Sequence, residues 1–470
     1  MILARHTTKI EMGVYAGFSF TYSLFQTVGA LGLNVAAVRF VAKLWAEKHV
    51  EEASAAAKTV IENVVMSAIA LSVVYYLCAP YFSLISGGTF DYFHLFRAAS
   101  LAVLVTIPSL VVEGLLQGIQ EFGKLVIIRV GAQAVRIAVS TWLLLSGYGL
   151  MAVVAGWLMF GSILTLFPIP FIVRHINLRG SYPFKPILTY SLPLLGSSVL
   201  LFSSHYVDLF MIMVYGTPTE LGAYNVVITA SGVLTLVIIG PLITTLLPAM
   251  ARSCGTGGTV AVERAFFKAT RYVALIYAPA ACGLAALAPE AISLMAGASY
   301  LEAVVPLVII SISSLAFAFA NLIAVALQAV AETARVFRMT IVAVVADAAV
   351  CFILIPRMGM VSGSVGRAIF FLVMLGGGIY EARTVLNLKF DVEAAWKFTL
   401  ASIAMATSIV LSRSWCPLWT FFPLYIGLGL LAYVLALRGL RAVREEDFRM
   451  TQRMTTKRLR WIRTLQAILT

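Results

Sequence analysis

Charge is what this sequence has least of. Asp, Glu, Lys and Arg together make up 12% of the 470 residues, against 61% apolar residues, and mean hydropathy is +0.96. Soluble domains carry about a quarter charged residues. A chain this poor in charge cannot cover its apolar bulk with a water-facing surface, so the bilayer must be its solvent. In hydrocarbon every backbone amide needs an internal partner, which leaves helix bundles or closed barrels. The short alternating segments of a barrel are missing. The apolar runs are continuous over about 20 residues or more, the length of a helical span. The expected fold class is all-α, a polytopic transmembrane helix bundle.

Other absences narrow the chemistry. The five cysteines (Cys78, Cys254, Cys282, Cys351 and Cys416) include no C-x-x-C pair, which argues against a disulfide framework or a zinc site. There is no D-x-D to hold a metal-diphosphate, no G-x-x-x-x-G-K-[ST] to cradle phosphate and no H-E-x-x-H. No connector between apolar runs exceeds about 20 residues, so a soluble catalytic domain has nowhere to form. The expectation is a protein that is not an enzyme and uses no metal or cofactor.

What charge there is leans basic: 34 Lys+Arg against 21 Asp+Glu, a formal +13. Nucleic acid would be one partner for such a chain; a cytoplasmic membrane face is the other, and position decides. Charge-poor stretches fall at about 13–38, 59–85, 97–118, 125–146, 148–173, 187–215, 222–250, 268–288, 303–330, 335–355, 360–384, 395–412 and 418–438, thirteen spans in all. Assigned alternately to two sides, the connectors around 39–58, 119–129, 174–185, 251–271, 331–338 and 383–397 and the tail from 438 hold most of the Lys and Arg. The other side holds Asp91, Glu220, Glu290 and Glu302 with few cations. This is the positive-inside pattern. It predicts a multi-pass protein of the plasma membrane with a cytoplasmic C-terminus, and it accounts for the basic excess without nucleic acid.

The chain repeats itself. Gly13-Val14-Tyr15 returns as Gly222-Ala223-Tyr224, Ala42-Lys43 as Ala251-Arg252, and Gly149-Leu150 as Gly359-Met360. Leu116-Gln117-Gly118-Ile119-Gln120-Glu121 returns as Leu327-Gln328-Ala329-Val330-Ala331-Glu332. Collinear matches at one offset mark an internal duplication. The predicted organisation is an N-lobe over 1–180, a C-lobe over 181–388, two further spans over 389–438 and a basic cytoplasmic tail over 439–470. The C-lobe opens with span 187–215, whose counterpart in the N-lobe would precede residue 1. An odd span count places the N-terminus outside, with no apolar stretch or signal peptide ahead of it. Both observations give the same expectation: six plus six plus two helices, with the first absent through a misassigned start or a truncation. Lobes with an even number of spans share one orientation, the parallel-repeat design with a substrate path between lobes.

Ionisable groups at membrane depth are costly and are functional candidates. Arg136 lies near the middle of span 125–146 and Asp347 near the middle of span 335–355, at equivalent places in the repeat. One reading is a cavity in which Arg136 holds an anionic headgroup, by parallel hydrogen bonds from its planar fork, while Asp347 balances or gates it. The other is a structural ion pair or separate buried polar contacts. Asp208, one turn after His205, reads either as a coupling site or as a polar residue satisfied between helices. Glu113 and Arg367 lie nearer the ends of their spans, where snorkelling competes with a gating role. Asn225, Asn321, Gln117, Gln133 and Gln328 line a polar path or act as packing glue. Pro193, Pro241, Pro279 and Pro306 mark possible bends. Nine Lys+Arg between Arg438 and Arg463, with an apolar stripe of Leu459, Ile462, Leu465, Ile468 and Leu469, describe an interfacial helix on the inner leaflet or an unstructured anchor.

Three stretches resemble the oligosaccharide flippases, the polysaccharide-transport branch of the multidrug/oligosaccharidyl-lipid/polysaccharide exporter superfamily. Leu31-Gly-Leu-Asn-Val-Ala-Ala-Val-Arg39-Phe-Val-Ala42 is similar to that family's second helix running into its cytoplasmic loop. Tyr190-Ser-Leu-Pro193 through Asp208, then Leu221-Gly-Ala-Tyr224 through Leu247-Pro248, is similar to its seventh and eighth helices. Ile355-Pro356-Arg-Met-Gly359-Met-Val-Ser-Gly363 is similar to its eleventh-to-twelfth turn. The resemblance implies twelve or fourteen helices and alternating-access flipping of a polyprenyl-diphosphate-linked oligosaccharide to the outer leaflet, for surface polysaccharide or glycoconjugate synthesis. The partners it implies are the lipid-linked substrate, membrane lipid and polysaccharide-assembly proteins, around a monomer. Arg39 joins Arg136 and Asp347 as a substrate-binding candidate; Asp208, Glu113 and Arg367 are the coupling or gating candidates. A cation-coupled multidrug exporter of the same superfamily is the alternative, and an integral-membrane glycosyltransferase a more distant one.

Overall fold

The computed structural model describes residues 2–175, 180–415 and 422–442, and helices are their only regular structure. Among the described residues ten stretches are long and apolar enough to cross a membrane, against thirteen expected over the whole sequence. The difference has local causes. The predicted spans 222–250 and 268–288 fall on a single helical stretch, Pro218–Ala286, of 69 residues. The helix over 125–146 forms but carries Lys124, Arg129 and Arg136 and is not among the ten. The last span appears as a shorter apolar helix, Leu424–Gly439. The basic tail from residue 443 onward, with its apolar stripe from Leu459, lies outside the described residues.

The chain divides into two units, Met1–Asn225 and Val226–Thr470. The first contains α1 (Ile2–His6), α2 (Lys9–Gly29), α3 (Leu33–Ala46), α4 (Val50–Gly87), α5 (Phe93–Gly118), α6 (Phe122–Leu145), α7 (Met151–Leu166), α8 (Ile169–His175), α9 (Phe184–Tyr215) and the opening turns of α10 (Pro218–Leu234). α2 starts on a capping box: Glu11 N–H donates to the Thr8 hydroxyl and Thr8 N–H donates to Glu11 Oε2 at 2.7 Å. The apolar run 13–38 reads as one span, yet it breaks at Leu31 and Gly32, both at positive φ. Gly32 is required there. Its φ is +69°, and a Cβ would lie 2.5 Å from the Ser191 carbonyl on α9.

The interior of this unit is Val14, Phe18 and Tyr22 of α2, Leu33, Ala37 and Val41 of α3, and a long stripe of α5 through Phe96, Val103, Ile107 and Leu115. Buried hydroxyls tie the helices across that stripe. Tyr22 donates to Thr106 Oγ1 at 2.6 Å, and Thr21 and Tyr75 share a bond of 2.9 Å. Such bonds add to packing where lipid offers no hydrophobic drive between helices. The repeat places α9 at the head of the C-lobe; in the structure it packs on α2, α3 and α4. Phe20 meets Phe202 and Phe210, each at 5.4 Å between ring centroids.

The second unit takes up the chain within α10. A π-helical turn, Thr235–Ile239, leads into α11 (Gly240–Ala286), with Pro241 at its first turn. Gly257 and Gly258 leave helical geometry inside α11, so the 69-residue stretch is not one straight rod. α12 (Ala288–Met295) and a 3-10 turn precede α13 (Val304–Ala329), α14 (Thr333–Met358), α15 (Met360–Ala382), α16 (Val392–Trp415) and α17 (Phe422–Gly439). α13 lies against α11 and α15, and α14 against α15. α16 and α17 pack on each other around Phe398, Met405 and Tyr425, and α16 rests on α11.

In the second half of α11, past the break at Gly257 and Gly258, Arg271 is buried. Its Nη2 donates to the Ala442 carbonyl at 2.7 Å and its Nη1 to Asp391 Oδ2 at 3.5 Å. Asp391 in turn accepts from Ala394 N–H at 3.0 Å, starting α16. One buried cation thus joins α11 to the start of α16 and to the end of the α17 segment.

Candidate functional site

The mid-depth cation of the first unit rests on an aromatic shelf. Arg136 projects from α6 onto α7, where Trp157 and Phe160, three residues apart, share one helix face. The guanidinium carbon is 4.2 Å from the Trp157 ring centroid and 5.9 Å from that of Phe160. Tyr22 closes the side, its ring 4.9 Å from Trp157. The helices come this close because residue 156 is glycine: a Cβ there would press on the Ser140 hydroxyl and stand 3.1 Å from the Arg136 carbonyl. Gly156→Leu is therefore expected to part α6 from α7 and destabilise the protein by about 1–3 kcal/mol, the usual cost of overpacking, read as a lowered unfolding midpoint in detergent.

The site is left unfinished in its hydrogen bonds. Arg136 Nε and Trp157 Nε1 are both buried and have no partner among the described residues. Arg136 forms no ion pair among them either. A cation at mid-membrane costs about 2.5–3.5 kcal/mol on insertion scales. Cation–π contact returns about 0.5–2 kcal/mol. The balance is unfavourable, and two unused donors side by side suit an anionic oxygen.

A second cationic feature is a cleft of about 590 Å³ in the same unit, lined by Arg39, Lys43, Lys185, Thr189, Phe40 and Tyr190. Arg39 stacks over the Tyr190 ring at 4.1 Å. Phe40 meets Tyr182 and Tyr190 edge-on at 6.1 and 6.0 Å. Lys43 reaches Glu47 only at 3.9 Å, with most of its side chain exposed. All three cations come from connectors that the charge pattern assigns to the cytoplasmic side.

The carboxylate candidates take different surroundings. Asp208 is fully buried in α9; the Tyr224 hydroxyl donates to its Oδ2, and Leu209 N–H to its Oδ1 at 2.8 Å. Its neighbour His205 is exposed. Asp347 is fully buried in α14 and accepts from the Cys351 thiol at 3.3 Å, with Gly366 of α15 packed directly on both. Arg367 is buried in α15. Glu113 is buried in α5 and faces Arg129 Nη1 at 3.5 Å. Asn321 bonds back to the Phe317 carbonyl of its own helix. No group of three or more His, Cys, Asp or Glu could hold a metal ion among the described residues.

Depth and charge pick out Arg136, Asp208 and Asp347, and the family resemblance adds Arg39, but neither shows what they touch. Trp157, Phe160, Tyr190 and Tyr224 lie on other helices, and aromatic residues are too frequent in membrane spans to stand out. Lys185 carried a usable signal, because it shares the cytoplasmic side with Arg39.

A multi-pass helical membrane protein with a cation at mid-depth has the architecture of known membrane transporters. The chain spans 93% of itself and 94% of the inward closed conformation of the lipid II flippase MurJ, at a TM-score of 0.75 and 16% identity. It spans 82% of itself and 92% of an inward-facing multidrug resistance MATE family transporter of the MOP superfamily, at 0.68 and 13%. With a MOP superfamily transporter from Pyrococcus furiosus the figures are 80%, 94%, 0.52 and 14%. At these identities the likeness is one of fold. No curated protein sequence matches the chain. A sequence model of the family described as "Polysaccharide biosynthesis protein" matches residues 2–305, and the chain belongs to that family.

Proposed function

We propose that this protein is a flippase. It carries a polyprenyl-diphosphate-linked oligosaccharide from the inner to the outer leaflet, for surface polysaccharide or glycoconjugate synthesis, without acting as an enzyme on it. The observation that carries this reading is the orphaned cation of α6: Arg136 on its aromatic shelf, with two buried donors lacking acceptors. A diphosphate supplies the missing acceptors, and aromatic faces suit sugar rings. Membership of a polysaccharide biosynthesis family supports the sugar part of the cargo. The fold shared with a lipid II flippase and with MATE transporters supports movement across the membrane. The C-terminus is placed in the cytoplasm and the protein in the plasma membrane, on the charge pattern.

In this reading the Arg39–Lys43–Lys185 cleft collects the diphosphate at the inner leaflet and Arg136 holds it at depth. Asp208, with its Tyr224 partner, is the proposed coupling group. Asp347, Glu113 and Arg367 are proposed to balance charge or gate. The test is reconstitution into proteoliposomes with a fluorescent lipid-linked oligosaccharide, whose movement is followed by accessibility to an impermeant quencher. Protein-dependent movement is the expected result. Sugar transfer without leaflet movement would end the proposal. Replacing Arg39 and Lys185 together by glutamine is expected to raise the half-saturating lipid concentration about thirtyfold, at about 1 kcal/mol for each cation near the surface. The maximal rate should change little, and the difference should shrink in high salt.

A further inference from the structure

Away from the cationic sites, α14 and α15 leave an open groove of about 600 Å³ between them. Its walls include Val342 and Tyr380, 59% and 73% exposed, and its floor is Gly376 and Gly377. Arg338 and Glu381 line its polar end. Both helices are apolar enough to span a membrane, so the exposed groove faces lipid chains. Arg338, at its polar end, falls in the connector 331–338 that the charge pattern places at the inner leaflet, and Glu381 lies in the last turn of α15 beside it.

The glycines are the first sign that the groove is made to be filled. Gly376, Gly377 and Gly378 are consecutive inside a helix, where glycine is the poorest former after proline. Packing accounts for one of them: Gly378 lies against Ile323 of α13, where an added Cβ would stand at 3.3 Å, while at Gly377 a Cβ would make only an ordinary contact of 3.4 Å with Met339 of α14. Around Gly376 a Cβ would meet nothing within 4 Å. No protein neighbour requires that glycine, and the space it leaves is the groove floor.

The polar end is the second sign. Arg338 Nη2 donates to Glu381 Oε2 at 2.9 Å, and Arg335 Nη1 donates to the same oxygen at 3.2 Å. No bond falls on Glu381 Oε1, and Arg338 Nε and Nη1 make none, among the described residues. One free carboxylate oxygen therefore stands beside free guanidinium donors, and the Arg338 side chain is 60% exposed. This pairing is the complement of a headgroup that carries a phosphate and a primary ammonium together. A headgroup without an ammonium leaves Glu381 Oε1 unbonded, and a trimethylammonium has no N–H to give.

We infer that this groove is a binding site for one phosphatidylethanolamine molecule. An acyl chain lies over Gly376 and along Val342, the phosphate meets Arg338, and the ammonium donates to Glu381 Oε1.

The test uses the full chain, purified in mild detergent, stripped of lipid, and titrated with phosphatidylethanolamine, phosphatidylcholine or phosphatidylglycerol of matched chains. Retained lipid is counted by native mass spectrometry. One phosphatidylethanolamine should be held about fivefold more tightly than either competitor, the scale of a partly exposed charge-assisted hydrogen bond. Glu381→Gln should erase the preference over phosphatidylcholine, Arg338→Gln should weaken all three, and Gly376→Leu should expel the lipid whatever its headgroup. Equal or tighter binding of phosphatidylcholine or phosphatidylglycerol overturns the inference, and so does retention by Gly376→Leu. Displacement by an equal concentration of polyprenyl phosphate would give the groove to the substrate's tail. Loss of the lipid on dimerisation would give it to a second copy. The wild-type headgroup series decides the matter even where a variant fails to fold.

Discussion

Replacing Arg136 with alanine is expected to slow leaflet translocation by about 100-fold or more, while leaving the protein at least as stable as wild type. The two halves of that expectation come from one observation. Arg136 sits on Trp157 at 4.2 Å with its Nε buried and unbonded. A fork that donates two charge-assisted bonds to a diphosphate contributes about 1.5–3 kcal/mol for each bond, and 1.4 kcal/mol is a factor of ten. Losing both bonds accounts for the rate. Stability behaves oppositely, because removing a cation that has no anion removes a cost of about 2.5–3.5 kcal/mol and loses only its contact with the rings. If Arg136 were instead one arm of a structural ion pair, alanine would lower the melting temperature as it lowered activity. Arg136→Lys keeps the charge but not the planar fork, so an intermediate loss of about tenfold is expected from a single ammonium contact. Translocation assays and thermal melts on the same three preparations decide between these readings. Full activity in the alanine variant would remove Arg136 from the site.

The prominence of Arg136 was readable from the sequence because the membrane makes depth nearly one-dimensional. A cation about eleven residues into a span of about twenty must lie near the middle at 1.5 Å per residue, whatever the helix packs on. The same arithmetic found Asp208 and Asp347, both fully buried. What it cannot reach is the third dimension. Tyr224, whose hydroxyl meets Asp208, follows it by sixteen residues, beyond any helical period. Trp157 was one aromatic among many. Breaks inside apolar runs were equally hidden, since hydropathy does not register backbone geometry. The turn at Leu31 and Gly32 interrupts an unbroken apolar run because α9 comes within contact of the Gly32 backbone. Polar groups near span ends were misleading for the opposite reason. Arg271 falls in a predicted cytoplasmic connector and counts there as one more inside charge, although it is buried beneath α16.

Arg271 should behave in the opposite way to Arg136. Alanine at this position is expected to destabilise the protein by about 3–5 kcal/mol, the penalty for leaving one partner of a buried pair alone. Three groups lose their donor or neighbour together: the Asp391 carboxylate, the Ala442 carbonyl at 2.7 Å, and the Phe398 ring, 5.5 Å from the guanidinium. Asp391 is itself buried and keeps the Ala394 N–H bond to its carboxylate at 3.0 Å and its own N–H bond to Thr270 Oγ1 of α11 at 3.2 Å. Lysine would not rescue the loss, because a single ammonium cannot reach a carboxylate on one side and a carbonyl on the other in the geometry of the fork. Adding Asp391→Asn to the alanine variant should recover part of the stability, since the uncompensated charge is gone while an acceptor for Ala394 N–H remains. The measurement is the unfolding midpoint of purified protein, with limited proteolysis of the segment between α15 and α16 as a local probe. Early cleavage there, before the first unit unfolds, is the result expected if Arg271 holds the C-terminal helices to α11. An unchanged midpoint in Arg271→Ala would mean that the apolar contacts of Phe398, Met405 and Tyr425 hold those helices unaided.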